Sequence, residues 1–154
     1  VVSRWPVELW KELIGTFIAY NWGIILLGSG EKEIKFAKEL TKSIISPNIK
    51  DTTGKLSLTE LSAVASTCKL AIGNDTGTLH LSALMGIPTI GLSDCNQYDW
   101  IGLRMPWFTG MSARDNVVTH KTSHRGHSSE ILSEITPEMV LLKFKNINFL
   151  GDIN

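Results

Sequence analysis

The chain has 154 residues, and its fifteen acidic side chains balance its fifteen basic ones. That length suits one domain, and a neutral chain gives no electrostatic reason to expect a nucleic acid or an anionic membrane as partner. No apolar run approaches the roughly 20 residues of a transmembrane helix, and charged residues interrupt the first twenty, unlike a signal peptide. The two cysteines, Cys68 and Cys95, form no Cys-x-x-Cys pair, which favours a reduced, cytosolic protein.

Apolar spacing and turn residues predict helices that alternate with strands. Ser57 and Glu60 form the pattern of a capping box, and Thr136-Pro137 is typical of a helix start. In chain order, the sequence predicts a helix after Pro6, a buried strand at 23–28, a helix over 34–44, an extended piece at 49–52, a helix after Ser57, a strand at 70–73, a helix at 79–85 closed by Gly86, a strand at 88–92 and a last helix after Thr136.

This order predicts an α/β fold, a Rossmann-like parallel sheet with helices on both faces. We expect residues 1–154 to form a single domain. Residues 93–129 break the pattern, since they contain only one weak strand, at Val117-Val118. Irregular stretches of that length within a compact domain are usually functional.

Two glycine-containing loops follow predicted strands, at the carboxyl ends where open parallel sheets bind ligands. One is Gly28-Ser29-Gly30; the other is residues 73–78, Gly-Asn-Asp-Thr-Gly-Thr. Glycine lets the backbone approach a ligand, and the next helix offers unpaired N–H groups and its positive dipole end. The second loop therefore predicts a site for the phosphates of a nucleotide-linked ligand. Thr76 and Thr78 add hydroxyls, and Asp75, which would repel phosphate, is assigned to sugar hydroxyls.

Plainer interpretations of these residues stay open. Gly28-Ser29-Gly30 is also a common structural turn, and Asn74 and Asp75 are suited to capping the next helix. His80 is either a packed core histidine or a phosphate contact. The Asp-Thr-Gly triplet also marks aspartic proteases, but their active site needs two triplets in an all-β fold.

Three segments resemble glycosyltransferase family 9, the ADP-heptose heptosyltransferases that build the lipopolysaccharide inner core. The most specific is residues 73–81, Gly-Asn-Asp-Thr-Gly-Thr-Leu-His-Leu, followed by Ala83 and by Met-Gly-Ile-Pro-Thr at 85–89. The supporting segments are Arg4-Trp5-Pro6 with Trp10 and Leu13, and the D-x-x-G-x-x-S-L-x-E-L pattern of residues 51–61.

The resemblance implies an inverting glycosyltransferase of GT-B architecture, in which two Rossmann-like halves flank a cleft. The chain resembles only the C-terminal half, which holds the nucleotide sugar. We expect the N-terminal half, with the lipopolysaccharide-type acceptor and the catalytic carboxylate, to be absent, so that no catalytic residue lies in this chain and the domain alone is inactive. The donor is then ADP-heptose or a related nucleotide sugar, used without cofactor or metal, in the cytoplasm or peripheral to the inner membrane.

The same resemblance assigns ligand contacts residue by residue. The family lysine before Arg-Trp-Pro is Ser3 here, so Arg4 either substitutes for it or points away, and the usual Phe-Gly-Pro-Thr is replaced at residues 92–95 by Leu-Ser-Asp-Cys. The expected contacts are Thr76, Gly77, Thr78 and Arg4 for the diphosphate, Asp75 for the sugar, the backbone of 53–57 with Gly54, Lys55 and Leu56 for the adenine, and Glu33, with Glu31 as its rival, for the ribose.

Other hypotheses remain at this stage. His120, His124 and His127 suggest a metal site by spacing, but neighbouring Ser, Thr and Gly residues disfavour a helix, and a solvated loop or a basic rim facing the phosphates is preferred. The alternatives for the whole chain are a non-catalytic nucleotide-binding or partner-docking module, which would use an exposed region of Trp100, Trp107 and Phe108, and another GT-B enzyme that uses a UDP-sugar.

Overall fold

The structure, a computed structural model, describes residues 4–93, 105–113 and 132–147. The chain divides into two compact units, one formed by Val7–Val64 and the other by Val1–Pro6 with Ala65–Asn154. That residues 1–154 act as one donor-binding domain stays a prediction. In the described ranges, no helix is both long and apolar enough to cross a membrane.

The unit Val7–Val64 is built of helices and two parallel strands. Leu13 and Phe17 are buried on its first helix, and Ala37 and Leu40 on its second, at the three-to-four spacing that turns one helix face to a core. Its elements are α1 (Val7–Ala19), β1 (Ile24–Leu26), α2 (Glu31–Ser43), β2 (Ile49–Asp51) and most of α3 (Leu58–Ser66).

The pairing of β1 with β2 continues into the loops that follow them. Leu26 lies opposite Asp51, and beyond the strands the Gly54 N–H donates to the Gly28 carbonyl at 2.9 Å. The prediction of a fully buried strand here is wrong, because Ile25 is 37% exposed. A strand is buried throughout only when both faces of its sheet are covered, and the face to which Ile25 points is open.

The second unit contains a three-stranded parallel sheet in the order β3-β4-β5. Thr89, Ile90, Gly91 and Leu92 of the central strand are all buried. Because successive residues of a strand point to opposite faces, both faces of β4 are covered. The elements of this unit are β3 (Ala71–Asn74), α4 (Gly77–Leu84), β4 (Thr89–Ser93), β5 (Phe108–Ser112) and α5 (Pro137–Lys145). The predicted α/β fold with parallel strands is confirmed.

Strand β5 corrects the expectation that residues 93–129 contain only one weak strand. It pairs with β4 from Phe108, opposite Thr89, to Ser112, opposite Ser93. Its sequence, Phe-Thr-Gly-Met-Ser, shows neither strict alternation nor a β-branched run, so the strand forms because β4 offers it an edge. Gly91 leaves room for the Phe108 ring, since a Cβ there would lie 2.8 Å from it. The strand predicted at Val117-Val118 lies outside the described residues.

The predicted helix ends are confirmed where local hydrogen bonds define them. The Ser57 N–H donates to the Glu60 carboxylate at 2.8 Å, and the Glu60 N–H donates to Ser57 Oγ at 3.3 Å, which completes the capping box. Thr136 caps α5 by accepting from the Met139 N–H. Gly86 follows α4 with a φ of +79°, the conformation expected of a glycine just past a helix.

Candidate functional site

Among the described residues, several hydrogen-bonding groups of the loop between β3 and α4 have no partner. Thr76 is the N-cap, with extended backbone (φ −141°, ψ 160°) and no capping hydrogen bond from its side chain. The His80 N–H donates to the Thr76 carbonyl at 3.1 Å, so the N–H groups of the three helical residues before it have no acceptor within the helix. A Cβ at Gly77, the first of them, would meet nothing within 4 Å. The described part of the chain therefore leaves room beside Gly77 for a ligand.

The start of α4 favours an anion, whereas the Asp75 carboxylate before it does not. The start of an α-helix carries a partial positive charge, which acidic residues in the first turn would partly neutralise. The first turn of α4 contains none. The Thr76 and Thr78 side chains, both half-buried, place hydroxyls at the same helix end. The arrangement suits a phosphate group, as the sequence predicts.

The Asp75 carboxylate lies on one side of this helix end and is paired with a histidine. His80 Nε2 lies 2.8 Å from Asp75 Oδ1, with the two side chains 23% and 19% exposed. An ionised carboxylate only accepts hydrogen bonds, so an ionised Asp75 requires a His80 tautomer with the proton on Nε2. Sequence reasoning missed this pair, although a signal was present. Asp75 directly precedes the N-cap, and His80 is the fourth residue of the helix. In other helices a hydrophobic staple joins these same two positions.

Asn74, by contrast, is tied to more distant parts of the same unit. Its Oδ1 accepts from the Trp5 backbone N–H at 3.2 Å, and its Nδ2 donates to the Leu92 carbonyl at 3.5 Å. The alternative that Asn74 or Asp75 caps α4 is therefore wrong, because Thr76 occupies the N-cap and both side chains bond elsewhere.

The Arg4-Trp5-Pro6 segment lies beside the carboxyl end of β3. The Trp5 side chain is fully buried, and its indole N–H donates to the Ile135 carbonyl at 2.8 Å. With the backbone contact to Asn74, these bonds fix Trp5 at two points. The structure therefore holds the peptide between half-buried Arg4 and Trp5 against Asn74, two residues before Thr76. Ser3 lies outside the described residues.

The residues predicted for the nucleoside lie in the other unit, after β1 and β2. Glu33 folds back over the Gly28–Gly30 turn. If Gly28 carried a Cβ, that atom would lie 3.2 Å from the Glu33 Cβ, and a Cβ on Gly30 would lie 3.0 Å from Glu33 Oε2. Glu31 is exposed at the start of α2. Of the two rivals, Glu33 is thus the one that the structure places against the glycine turn.

A second loop, residues 53–57, follows β2 and is held by Asp51. The Thr53 N–H and hydroxyl both donate to Asp51 Oδ1, at 2.9 and 2.6 Å, and Lys55 Nζ donates to the Asp51 carbonyl at 2.6 Å. Thr53 is buried, Leu56 is half-buried, and Gly54 has a φ of +68°. The backbone of Gly54 and Lys55 is therefore presented in a fixed conformation beside the Gly28–Gly30 turn.

Two further sequence hypotheses have different outcomes. Trp107 and Phe108 do not form an exposed docking region, because both are half-buried, the Trp107 indole donates to the Ala83 carbonyl at 2.8 Å and Phe108 packs on Gly91. His120, His124, His127 and Trp100 lie outside the described residues. Within the described residues, no group of three or more His, Cys, Asp or Glu side chains is placed to hold a metal ion.

Parallel strands joined through helices, with glycine-containing loops at their carboxyl ends, define a Rossmann-like α/β protein. Residues 2–131 match the family model of glycosyltransferase family 9 (heptosyltransferase). The chain therefore belongs to this family.

Known relatives agree with the family assignment. The chain is 26% identical over 117 residues to lipopolysaccharide heptosyltransferase 1 of Pseudomonas aeruginosa, an alignment that covers 76% of the chain and 30% of the relative. The structure of Escherichia coli ADP-heptose LPS heptosyltransferase II superposes with a TM-score of 0.77 at 20% identity, covering 95% of this chain and 42% of that one. That of E. coli heptosyltransferase WaaC with ADP gives 0.72 at 24% identity, covering 92% and 39%. The chain spans less than half the length of each.

Proposed function

We propose that this chain is the nucleotide-sugar-binding half of an inverting glycosyltransferase of GT-B architecture. The observation that carries the proposal is the β3–α4 loop, which leaves the Thr76 side chain and the first N–H groups of α4 without helical partners. Family membership supports a glycosyl donor as the ligand. Such a donor presents a diphosphate, which fixed backbone donors at a helix start bind without a metal.

The proposed roles follow the geometry of the loop. Thr76, Gly77 and Thr78 hold the diphosphate, and Arg4 supplies a positive charge. Asp75 keeps one oxygen on His80 and accepts from a sugar hydroxyl with the other. As the bond to the anomeric carbon breaks, negative charge grows on the leaving diphosphate, and preoriented N–H groups stabilise that charge better than mobile water does.

The proposed donor is ADP-heptose, and the proposed acceptor is the lipopolysaccharide inner core. The structures of E. coli heptosyltransferase WaaC include one with ADP and one with ADP-2-deoxy-2-fluoro heptose. These ligands support an adenine nucleotide as the donor's nucleotide here. Glu33 then holds the ribose, and Gly54, Lys55 and Leu56 line the adenine. In this proposal the catalytic base belongs to an acceptor-binding half, the donor is bound by the half described here, and the enzyme acts at the cytoplasmic side of the inner membrane.

Calorimetric titration with ADP, UDP and GDP tests the proposal. We expect ADP to bind most tightly, and Thr76→Ala to weaken ADP binding about tenfold, as for a lost hydrogen bond to a charged group. The Thr76 side chain makes no capping bond, so this variant should stay folded. Thr59→Ala, an exposed threonine on α3, is the matched control and should bind as the wild type does. Binding of none of the three nucleotides would sink the proposal, and preference for UDP would favour a UDP-sugar enzyme.

A further inference from the structure

Asn74 joins three segments at the carboxyl edge of the β3-β4-β5 sheet. It is the last residue of β3, it accepts from the Trp5 N–H and it donates to Leu92 in β4. A primary amide is well suited to this position, because it offers a donor and an acceptor from one short side chain. Alanine would offer neither, and aspartate would replace the donor with a negative charge.

The bond to Trp5 has a consequence for Arg4. The nitrogen that Asn74 accepts from is the nitrogen of the Arg4–Trp5 peptide bond. Trp5 cannot move away on its own, since its side chain is fully buried and its indole is bonded to Ile135. Asn74 therefore fixes the peptide next to Arg4, and in the chain Asn74 is followed by Asp75 and Thr76.

We propose that Asn74 is a positioning residue, which holds the Arg4–Trp5 peptide against the phosphate loop so that the Arg4 charge acts on the bound diphosphate. This inference rests on the proposed function, since it requires a diphosphate at Thr76. Asn74 itself touches no ligand in this scheme. Its effect on binding passes through Arg4, and that dependence separates it from a residue that merely stabilises the sheet.

A double-mutant cycle on ADP affinity tests this dependence. We expect Arg4→Gln to weaken ADP binding about tenfold or more, as for a lost charge-assisted hydrogen bond, and Asn74→Ala to weaken it about fivefold. The double variant should bind no more weakly than Arg4→Gln alone. Because screening acts on charge, Asn74→Ala should also make ADP affinity less dependent on salt concentration.

Trp107→Phe is the matched control, since it also removes a hydrogen bond between a side chain and the backbone in the same unit, to the Ala83 carbonyl, without touching the loop. It should leave ADP affinity unchanged. If Asn74→Ala does not fold, Asn74→Ser takes its place in the cycle, because the serine hydroxyl ends one bond short of the Oδ1 position that accepts from Trp5. Independent effects of the Asn74 and Arg4 variants, or an unchanged salt dependence, would overturn the inference and leave the proposed function intact. Failure of the wild type to bind ADP would overturn both.

Discussion

Replacing Gly54 by alanine should destabilise the chain through two separable costs. The first is conformational: the φ of +68° at Gly54 lies in the left-handed region, where a residue with a Cβ pays about 1–2 kcal/mol. The second is steric, because the new Cβ would lie 2.5 Å from Ile34 Cδ1 and 2.9 Å from its Cγ1. Overpacking of that kind costs about 1–3 kcal/mol. The sum is about 2–5 kcal/mol of unfolding free energy.

Gly86 provides the control for the first cost. Its φ is +79°, and a Cβ there would meet nothing within 4 Å. Gly86→Ala should therefore lose only the conformational term, about 1–2 kcal/mol. Urea unfolding followed by circular dichroism measures both variants against the wild type. For a chain of this size, each kcal/mol also lowers the melting temperature by about 2–4 °C.

A second substitution isolates the contact with Ile34. Ile34→Ala removes both atoms that the new Cβ would strike, so the double variant should be less destabilised than the two single variants predict together. The expected coupling is about 1 kcal/mol or more. If Gly54→Ala proves no worse than Gly86→Ala, or if the two effects simply add, then α2 does not constrain the 53–57 loop as the geometry indicates.

Three further predictions concern other parts of the structure. Trp5→Phe removes the donor to a buried carbonyl and should cost about 1–3 kcal/mol in urea unfolding; an unchanged midpoint would contradict this. Hydrogen bonds from the Ser57 N–H and hydroxyl hold the Glu60 pKa below its ordinary 4.5. The wild type should therefore be more stable than Glu60→Gln at pH 7, with the difference shrinking as pH falls below 4.5 and the carboxyl is protonated; a pH-independent difference would contradict it. His80→Ala removes the partner of Asp75, the residue assigned to the sugar, so it should weaken binding of a nucleotide sugar but not of ADP. Equal losses of affinity for the two ligands would indicate that His80 contacts the phosphates instead.

The features that sequence predicted correctly depend on neighbours within a few residues. The capping box of Ser57 and Glu60, the cap at Thr136 and the glycine that follows α4 are all of this kind. Each joins groups that the chain itself brings together, so a short pattern is sufficient evidence. Strand β5 is different, since its pairing partner lies about twenty residues away across a stretch with no strand pattern.

The contacts of the site also differ in the distance along the chain that they span. The Asp75–His80 pair spans five residues, so its signal was in the sequence although sequence reasoning missed it, whereas the contacts of Trp5 with Asn74 and Ile135 span 69 and 130 residues. No periodicity or turn rule links positions that far apart. The family resemblance assigns Arg4 to the diphosphate as a substitute for the family lysine, which stays a prediction; the Asn74 bond fixes the peptide next to Arg4.

The distribution of hydrogen bonds around the β3–α4 loop favours a ligand over a purely structural turn. Asn and Asp are among the best N-cap residues, and such a cap stabilises a helix by about 0.5–2 kcal/mol. Asn74 and Asp75 precede the N-cap residue, Thr76, and neither caps α4; Asn74 bonds Trp5, Asp75 bonds His80, and Thr76 occupies the N-cap without a side-chain capping bond. The groups on one side of the helix start are thus tied in place, while the donors at the start stay available. Fixed surroundings with open donors are what a preorganised anion site requires, and a turn selected for stability alone would use the cap.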